Sequence, residues 1–299
     1  MMAGFILIVV AALFFPGVIL RTKSIASGRK GPGIFQPWKD IALLLRKGTV
    51  FSDTTGLIFK IAPSITLATV IGAMLFLPFA QQKALLSFEG DFIMFAYLLA
   101  LGKFFTIIAA LDTGSSFEGM GASREALFSM LVEPAFFILM ATFAMFTGYT
   151  SFSVIFNHFF ITGNDYVLIY SIIGAYLLVQ ITMIENSRLP VDDPKTHLEL
   201  TMIHEVMILD YSGFDKALIH IAGYLKFAIY GALIVNLFIG MIPFQYAIPA
   251  FFSIQLLMAV AIGLIESFMA RFRMSHNPQF IVVLTSVSLL IFFGVLLIL

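Results

Sequence analysis

Residues 227–265 read FAIYGALIVNLFIGMIPFQYAIPAFFSIQLLMAVAIGLI, a run without a single charged side chain. A helix rises about 1.5 Å per residue, so roughly 20 apolar residues cross about 30 Å of hydrocarbon. The run is too long for one crossing, and Gly240 with Pro243 is where it divides. Working outward with the same length rule gives eight spans, near 2–20, 61–80, 92–111, 126–147, 166–185, 217–239, 245–266 and 279–298. The composition agrees. Of 299 residues, 60% are hydrophobic and 11% charged, and the mean hydropathy is +1.02. A chain of this size cannot hide that much hydrocarbon from water. The fold class is therefore all-α integral membrane, with residues 1–299 as a single membrane domain.

Seventeen basic and seventeen acidic residues cancel, which leaves no bulk charge to attract nucleic acid. The chain has no cysteine, which excludes disulfides, thiolate metal sites and a cysteine nucleophile within it. Residues 1–20 lack the basic start and small-residue cleavage site of a signal peptide and run straight into Arg21 and Lys23, so they read as a retained first helix.

Basic residues fall on one side of the spans. The connection between the first two helices holds Arg21, Lys23, Arg29, Lys30, Lys39, Arg46, Lys47 and Lys60. Arg124, Arg188, Lys195, Lys216, Arg271 and Arg273 lie on the same side, against Lys83 alone on the other. The positive-inside rule then places both termini outward and the four basic connections in the cytoplasm. The polar mass of the chain is in those connections, 21–60 and 186–216 above all, where amphipathic helices are expected. No internal repeat is evident, so the inverted-repeat signature of many secondary transporters is missing.

Soluble-enzyme motifs fail on inspection. The glycines between Gly28 and Gly33 lack the lysine-bearing end of a phosphate loop. His204-Glu205 opens like a zinc-protease helix, but position 208 is Ile208; His197 and His204, seven apart, would share a helix face and read as polar residues of a hydrated loop and not as a metal site. Asp193 before Pro194 reads as a helix start, with a helix from about 194 to 209. Around it, Glu185, Asp192, Asp193, Glu199, Glu205, Asp210 and Asp215 border the membrane, joined by Glu266 if the seventh span approaches. Inside the spans stand Lys103, Glu133 and Lys226, each costing on the order of 2.5–3.5 kcal/mol near a bilayer centre. Glu133 precedes Pro134, where a helix break frees backbone groups. Intramembrane ionisable groups mark ion or proton paths, and Glu133 is the first candidate; simple pairing with an acid is an equal reading for the lysines.

Two blocks carry a resemblance to a known family: Gly31-Pro32-Gly33 through Gln36-Pro37-Trp38-Lys39-Asp40, and Arg188, Pro190 and Asp192 followed by Glu199-Leu200 and Asp210-Tyr211-Ser212-Gly213. The chain resembles the membrane anchor subunit shared by respiratory complex I (its subunit-1 type) and the ion-pumping membrane-bound [NiFe] hydrogenases, formate hydrogenlyases included. The run from Val191 to Glu205 resembles the formate-hydrogenlyase type most closely. Lys195 and His197 stand where quinone-reducing relatives usually carry acids, which favours the hydrogenase branch.

The resemblance implies a non-redox subunit of an oxidoreductase complex, with neither redox cofactor nor catalytic metal of its own. It would anchor a cytoplasmic hydrogenase module and couple its electron transfer to proton or sodium movement. The implied coupling path is Glu133, Glu185, Asp192, Asp193, Glu199, Glu205 and Asp210, with Arg188 as their base and Lys103 and Lys226 beside it. Gln36, Pro37, Trp38, Lys39, Asp40, Arg188 and Tyr211 would dock the peripheral module. The implied partners are the [NiFe] hydrogenase large and small subunits, a ferredoxin-like iron–sulfur subunit and antiporter-like membrane subunits. The [NiFe] centre and iron–sulfur clusters would sit on those partners, and the chain would lie in the cytoplasmic (inner) membrane with structural lipids around it. Two other readings stay open: a quinone-binding complex I–type subunit, and a stand-alone secondary ion transporter.

Overall fold

The structure is a computed structural model describing residues 2–80, 82–159, 167–193, 202–240 and 242–298. Eight helices among them are long and apolar enough to cross a membrane, and no strand accompanies them, only an isolated bridge between Phe79 and Gln82. The spans are α1 (Met2–Ala26), α3 (Leu57–Met74), α4 (Asp91–Asp112), α5 (Ser116–Thr147), α7 (Val167–Glu185), α9 (Gly213–Ile239), α10 (Ala247–Phe268) and α11 (Asn277–Ile298). Three short helices lie between them: α2 (Gln36–Leu45), α6 (Phe152–His158) and α8 (His204–Met207). The protein is a multi-pass membrane protein, and the eight expected spans are borne out. The long run divides where expected, with α9 ending at Ile239 and a 3-10 turn, Phe244–Tyr246, leading into α10.

α9 is the central pillar, packed against α1, α2, α3, α7 and α10. It is the most enclosed span, and α11, packed chiefly on α5, the least. α3 and α4 form the most extensive pair. The Thr66 hydroxyl there lies 3.2 Å from the Gly102 carbonyl and 3.1 Å from the Thr106 hydroxyl, the small-residue, hydrogen-bonded contact that helices use in lipid. α2 is amphipathic as expected. Pro37 and Ile41 are buried while Lys39, Leu43, Leu45 and Arg46 face outward.

Two boundaries differ instructively from the sequence reading. α5 begins at Ser116, ten residues before the expected 126: the polar stretch through Ser123, Arg124 and Glu125 is helical in spite of Gly119 and Gly121, supported by its packing on α8. The helix expected over 194–209 is the second. Residues 194–201, which include Pro194, Lys195, His197 and Glu199, lie outside the described residues. In the described part, Met202 and Ile203 are not helical and α8 is a single turn. The backbone here is held by side chains from elsewhere instead of by its own ladder. Asp192 Oδ2 accepts the His204 N–H (3.0 Å), Glu118 Oε1 accepts the Asp210 N–H (3.1 Å), and Arg124 Nη1 donates to the Met202 carbonyl (3.1 Å). Gly121 lets this segment lie directly on α5; a Cβ there would collide with Val206 and the Ile203 carbonyl. Gly213, with φ +52°, starts α9 tight against the Gly48 carbonyl.

At the other end of the bundle, Asp91 is fully buried and closes a different joint. Its carboxylate accepts the Phe152 N–H at 2.7 Å and the Ser151 hydroxyl at 2.8 Å, tying the start of α6 to the start of α4.

Candidate functional site

Four charges from four helices meet inside the bundle. Lys103 on α4 points its ammonium at Glu125 Oε1 of α5 (3.0 Å) and Glu185 Oε1 of α7 (2.9 Å). Lys226 on α9 contacts Glu185 through Oε2 at 2.6 Å and donates to the Glu185 main-chain carbonyl at 2.9 Å. None of the four side chains is more than 13% exposed. Two cations and two anions make the group neutral, and each desolvated charge has a partner. That balance is what lets the bundle hold ions costing several kcal/mol apiece when alone.

The cluster forms the floor of a cavity of about 330 Å³. Its walls mix Pro16, Leu20, Val70, Leu99 and Phe227 with polar groups, and its rim carries Gln36, Asp40, Arg188, His204, Glu205 and His220. A second, smaller void of about 40 Å³ lies beyond the cluster, lined by Lys103, Glu185, Glu133, Tyr230 and aromatic and aliphatic side chains. Lys103 and Glu185 line both spaces, so their ion pair is the wall between cavity and void. Glu133, on α5 roughly 13 Å along the axis from Arg124, does not point into the bundle interior. It is exposed on the lateral face and reaches the cluster through the void.

A second set of ion pairs rings the end that bears the long loops. Arg188 Nη1 donates to Glu266 Oε1 at 3.0 Å, and Lys23 lies 3.5 Å from Glu266 Oε2 and 3.8 Å from Asp193. Arg271 Nη2 meets Asp192 Oδ1 at 2.9 Å. Asp192 is 2% exposed, and that burial pushes its carboxyl above the usual range in spite of the arginine and two backbone N–H donors. The same burial lowers Arg271 from the ordinary arginine value.

Arg188, expected as the base of an acidic funnel, pairs with Glu266, and three of the expected acids have other cations beside them. The acids are not short of bases: Glu185 has Lys103 and Lys226, Asp192 has Arg271, Asp193 has Lys23, and Arg188 serves Glu266. Glu185, Lys103 and Lys226 are brought together, with Glu133 one void away and Glu205 on the cavity rim. Asp210 is exposed and stands apart, held through its backbone, and Glu199 lies outside the described residues. Of the expected docking residues, Lys39 and Asp40 are exposed, while Pro37 is buried. Trp38 donates to the Ala12 carbonyl at 3.3 Å and sits edge-on to Tyr224. Tyr211 is no surface residue. It is 4% exposed, stacks on Phe59 at 3.9 Å and donates to the Phe59 carbonyl at 2.8 Å. Burial and the carboxylates of Asp215, Glu118 and Asp112 raise its hydroxyl, keeping it a donor.

Glu125, Tyr230 and His220 escaped the sequence reading. Glu125 was lost with the late start given to α5, which left it in a loop. Among the described residues, no three His, Asp or Glu side chains are placed to hold a metal ion.

The fold and site define a multi-pass helical membrane protein that holds a charge-neutral ion cluster under a loop-facing cavity. The family model described as "NADH dehydrogenase" matches residues 1–296, and the chain belongs to that family. It is 29% identical over 274 residues to formate hydrogenlyase subunit 4 of Escherichia coli (strain K12), covering 88% of this chain and 87% of that one. Hydrogenase-4 component C of the same organism is also 29% identical, over 80% of this chain and 74% of its own. A subunit of the NADH-quinone oxidoreductase of Ralstonia pickettii (strain 12J) is 26% identical, over 82% of this chain and 74% of its own. The fold is similar to that of a chain in the membrane-bound sulfane sulfur reductase, an archaeal respiratory membrane complex (TM-score 0.78, 17% identity, 97% and 98% coverage).

Proposed function

We propose that this chain is the non-redox membrane subunit of an energy-converting, formate hydrogenlyase–like complex, linking electron transfer in a docked [NiFe] hydrogenase module to ion translocation. The observation that carries this reading is the Lys103–Glu125–Glu185–Lys226 cluster, open to a loop-end cavity on one side and leading to Glu133 on the other. A charge change at a docked redox centre alters proton affinity in a low-dielectric cluster more than in water. Because Lys103 touches two carboxylates and Glu185 two ammoniums, a proton gained or lost at one member is felt by all four.

The 21–60 and 186–216 loops face the cytoplasm in this reading and hold the hydrogenase small and large subunits with their iron–sulfur partner. Lys39, Asp40 and the rim residues form the contact. An exposed carboxylate at membrane depth is costly against lipid, so the Glu133 face is covered by an antiporter-like membrane subunit. The [NiFe] centre and iron–sulfur clusters reside on the partners, and the membrane is the cytoplasmic (inner) one. Purification in mild detergent tests the assembly: hydrogenase subunits should co-purify and cross-link to Lys39. Recovery of the chain with no redox partner would overturn the reading.

The size and amphipathic lining of the cavity favour one second reading, a quinone-binding complex I–type subunit. Dependence of turnover on added quinone, blocked by quinone-site inhibitors, would establish it in place of the first.

A further inference from the structure

The cluster and Glu133 are not in contact, so any proton moving between them must cross the void. Two routes are open to it. One follows α5, where Ser129 lies one turn from both Glu125 and Glu133. Its hydroxyl is buried with no hydrogen-bond partner, unlike those of Thr106, Thr142 and Thr182, which each donate to the carbonyl four residues back. The other route crosses the void itself. At about 40 Å³, it exceeds the 10–15 Å³ or so that a water requires, and a water also needs two to four polar partners. Glu133, Glu185, Lys103 and the Tyr230 hydroxyl supply them from the lining. Ser129 is not part of that lining. Of the two phenols that are, Tyr97 is largely exposed, whereas Tyr230 is 4% exposed on the central pillar.

We infer that the void is a water-holding relay in which the Tyr230 hydroxyl passes protons between Glu185 and Glu133. A proton reaches Tyr230 Oη through water from the Glu185 side as the phenolic proton leaves toward Glu133. Rotation of the hydroxyl restores the starting state, and no electron moves. The wall pair gates the relay, because Glu185 can accept or release a proton toward the void only as its ammonium partners shift toward Glu125 or the cavity. This inference rests on the coupling reading above and adds to it the group that spans the gap.

The test uses the assembled complex in proteoliposomes, with initial ion uptake measured in H₂O and D₂O beside redox turnover with an artificial acceptor. Tyr230→Phe keeps the ring and removes the hydroxyl. Uptake should fall about tenfold, less than the 10²–10⁴ of a direct acid–base group because water bypasses part of the relay, and the isotope effect should rise. Ala100→Leu, which fills the void while leaving every titratable residue in place, should give the same loss, while Ser129→Ala should leave uptake near the parent value. Wild-type uptake in both Tyr230→Phe and Ala100→Leu, or a defect in Ser129→Ala alone, overturns the relay. Glu133→Gln separates the two levels. If it lowers uptake while Tyr230→Phe does not, the relay alone fails; if it too is inert, the coupling reading fails with it.

Discussion

The two sets of ion pairs use similar residues to opposite ends. Inside the bundle the cations are lysines, and the contacts are shared: Lys103 with two carboxylates, Glu185 with two ammoniums. At the loop end the short contacts belong to arginines, Arg188 to Glu266 and Arg271 to Asp192. An arginine holds a carboxylate in a fixed fork and keeps its charge at any ordinary pH, whereas a buried lysine changes protonation readily. In the proposed function the shared contacts let the inner cluster redistribute a proton among partners without stranding an ion. The outer ring clamps the 186–193 segment to α1, α10 and the α10–α11 connection.

This contrast is most vulnerable at its most shared member. Glu185→Ala leaves Lys226 without its carboxylate partner in a buried site, so a loss of about 3–5 kcal/mol is expected. Thermal unfolding in detergent should show it, and assembly should suffer. Glu266→Ala should cost less, about 1.5–3 kcal/mol for a charged hydrogen bond, because Lys23, the second cation on Glu266, is partly solvated and also lies near Asp193. Its ion uptake per turnover should stay at the parent value; a fall would place the outer ring in the path and erase the distinction.

Asp192 refines the contrast through pH. Its folded carboxyl lies above the ordinary 3.8 because of burial, so the native state binds that proton more tightly than the unfolded chain. Stability from this group is full below about 3.8 and declines as pH rises through the raised value. Asp192→Asn should flatten that decline in a melting-temperature series begun near pH 4; an unchanged slope would show that the group does not titrate there. The smallest effect is expected at Tyr211→Phe, which removes one hydrogen bond to the Phe59 carbonyl and should cost about 1 kcal/mol, with uptake unaffected.

The spans were legible because lipid imposes a length and an apolar composition that no other solvent demands, and the basic loops were legible for the same reason. Lys103, Glu133 and Lys226 stood out as charges where charges are costly. Their partners did not. Glu125 sits in a stretch polar enough to pass for a loop. Glu185, the last residue of α7, read as part of a loop funnel, although its side chain turns back toward α4 and α9. Pairings such as Lys103 with Glu185 or Arg271 with Asp192 join residues about 80 positions apart, and no local periodicity reports such contacts. Tyr211, a motif position expected to dock the peripheral module, is an internal strut, and no local pattern announces its burial.

In the proposed function, charge moves between the buried cluster and the lateral face through Glu133. Glu133→Gln keeps the shape and polarity of the side chain while abolishing its titration. In proteoliposomes carrying the whole complex, ion uptake and redox turnover would be followed together. Assembly should stay intact, turnover with an artificial acceptor should be nearly unchanged, and ion uptake should be strongly reduced. Full uptake per turnover in that variant would contradict this role for Glu133.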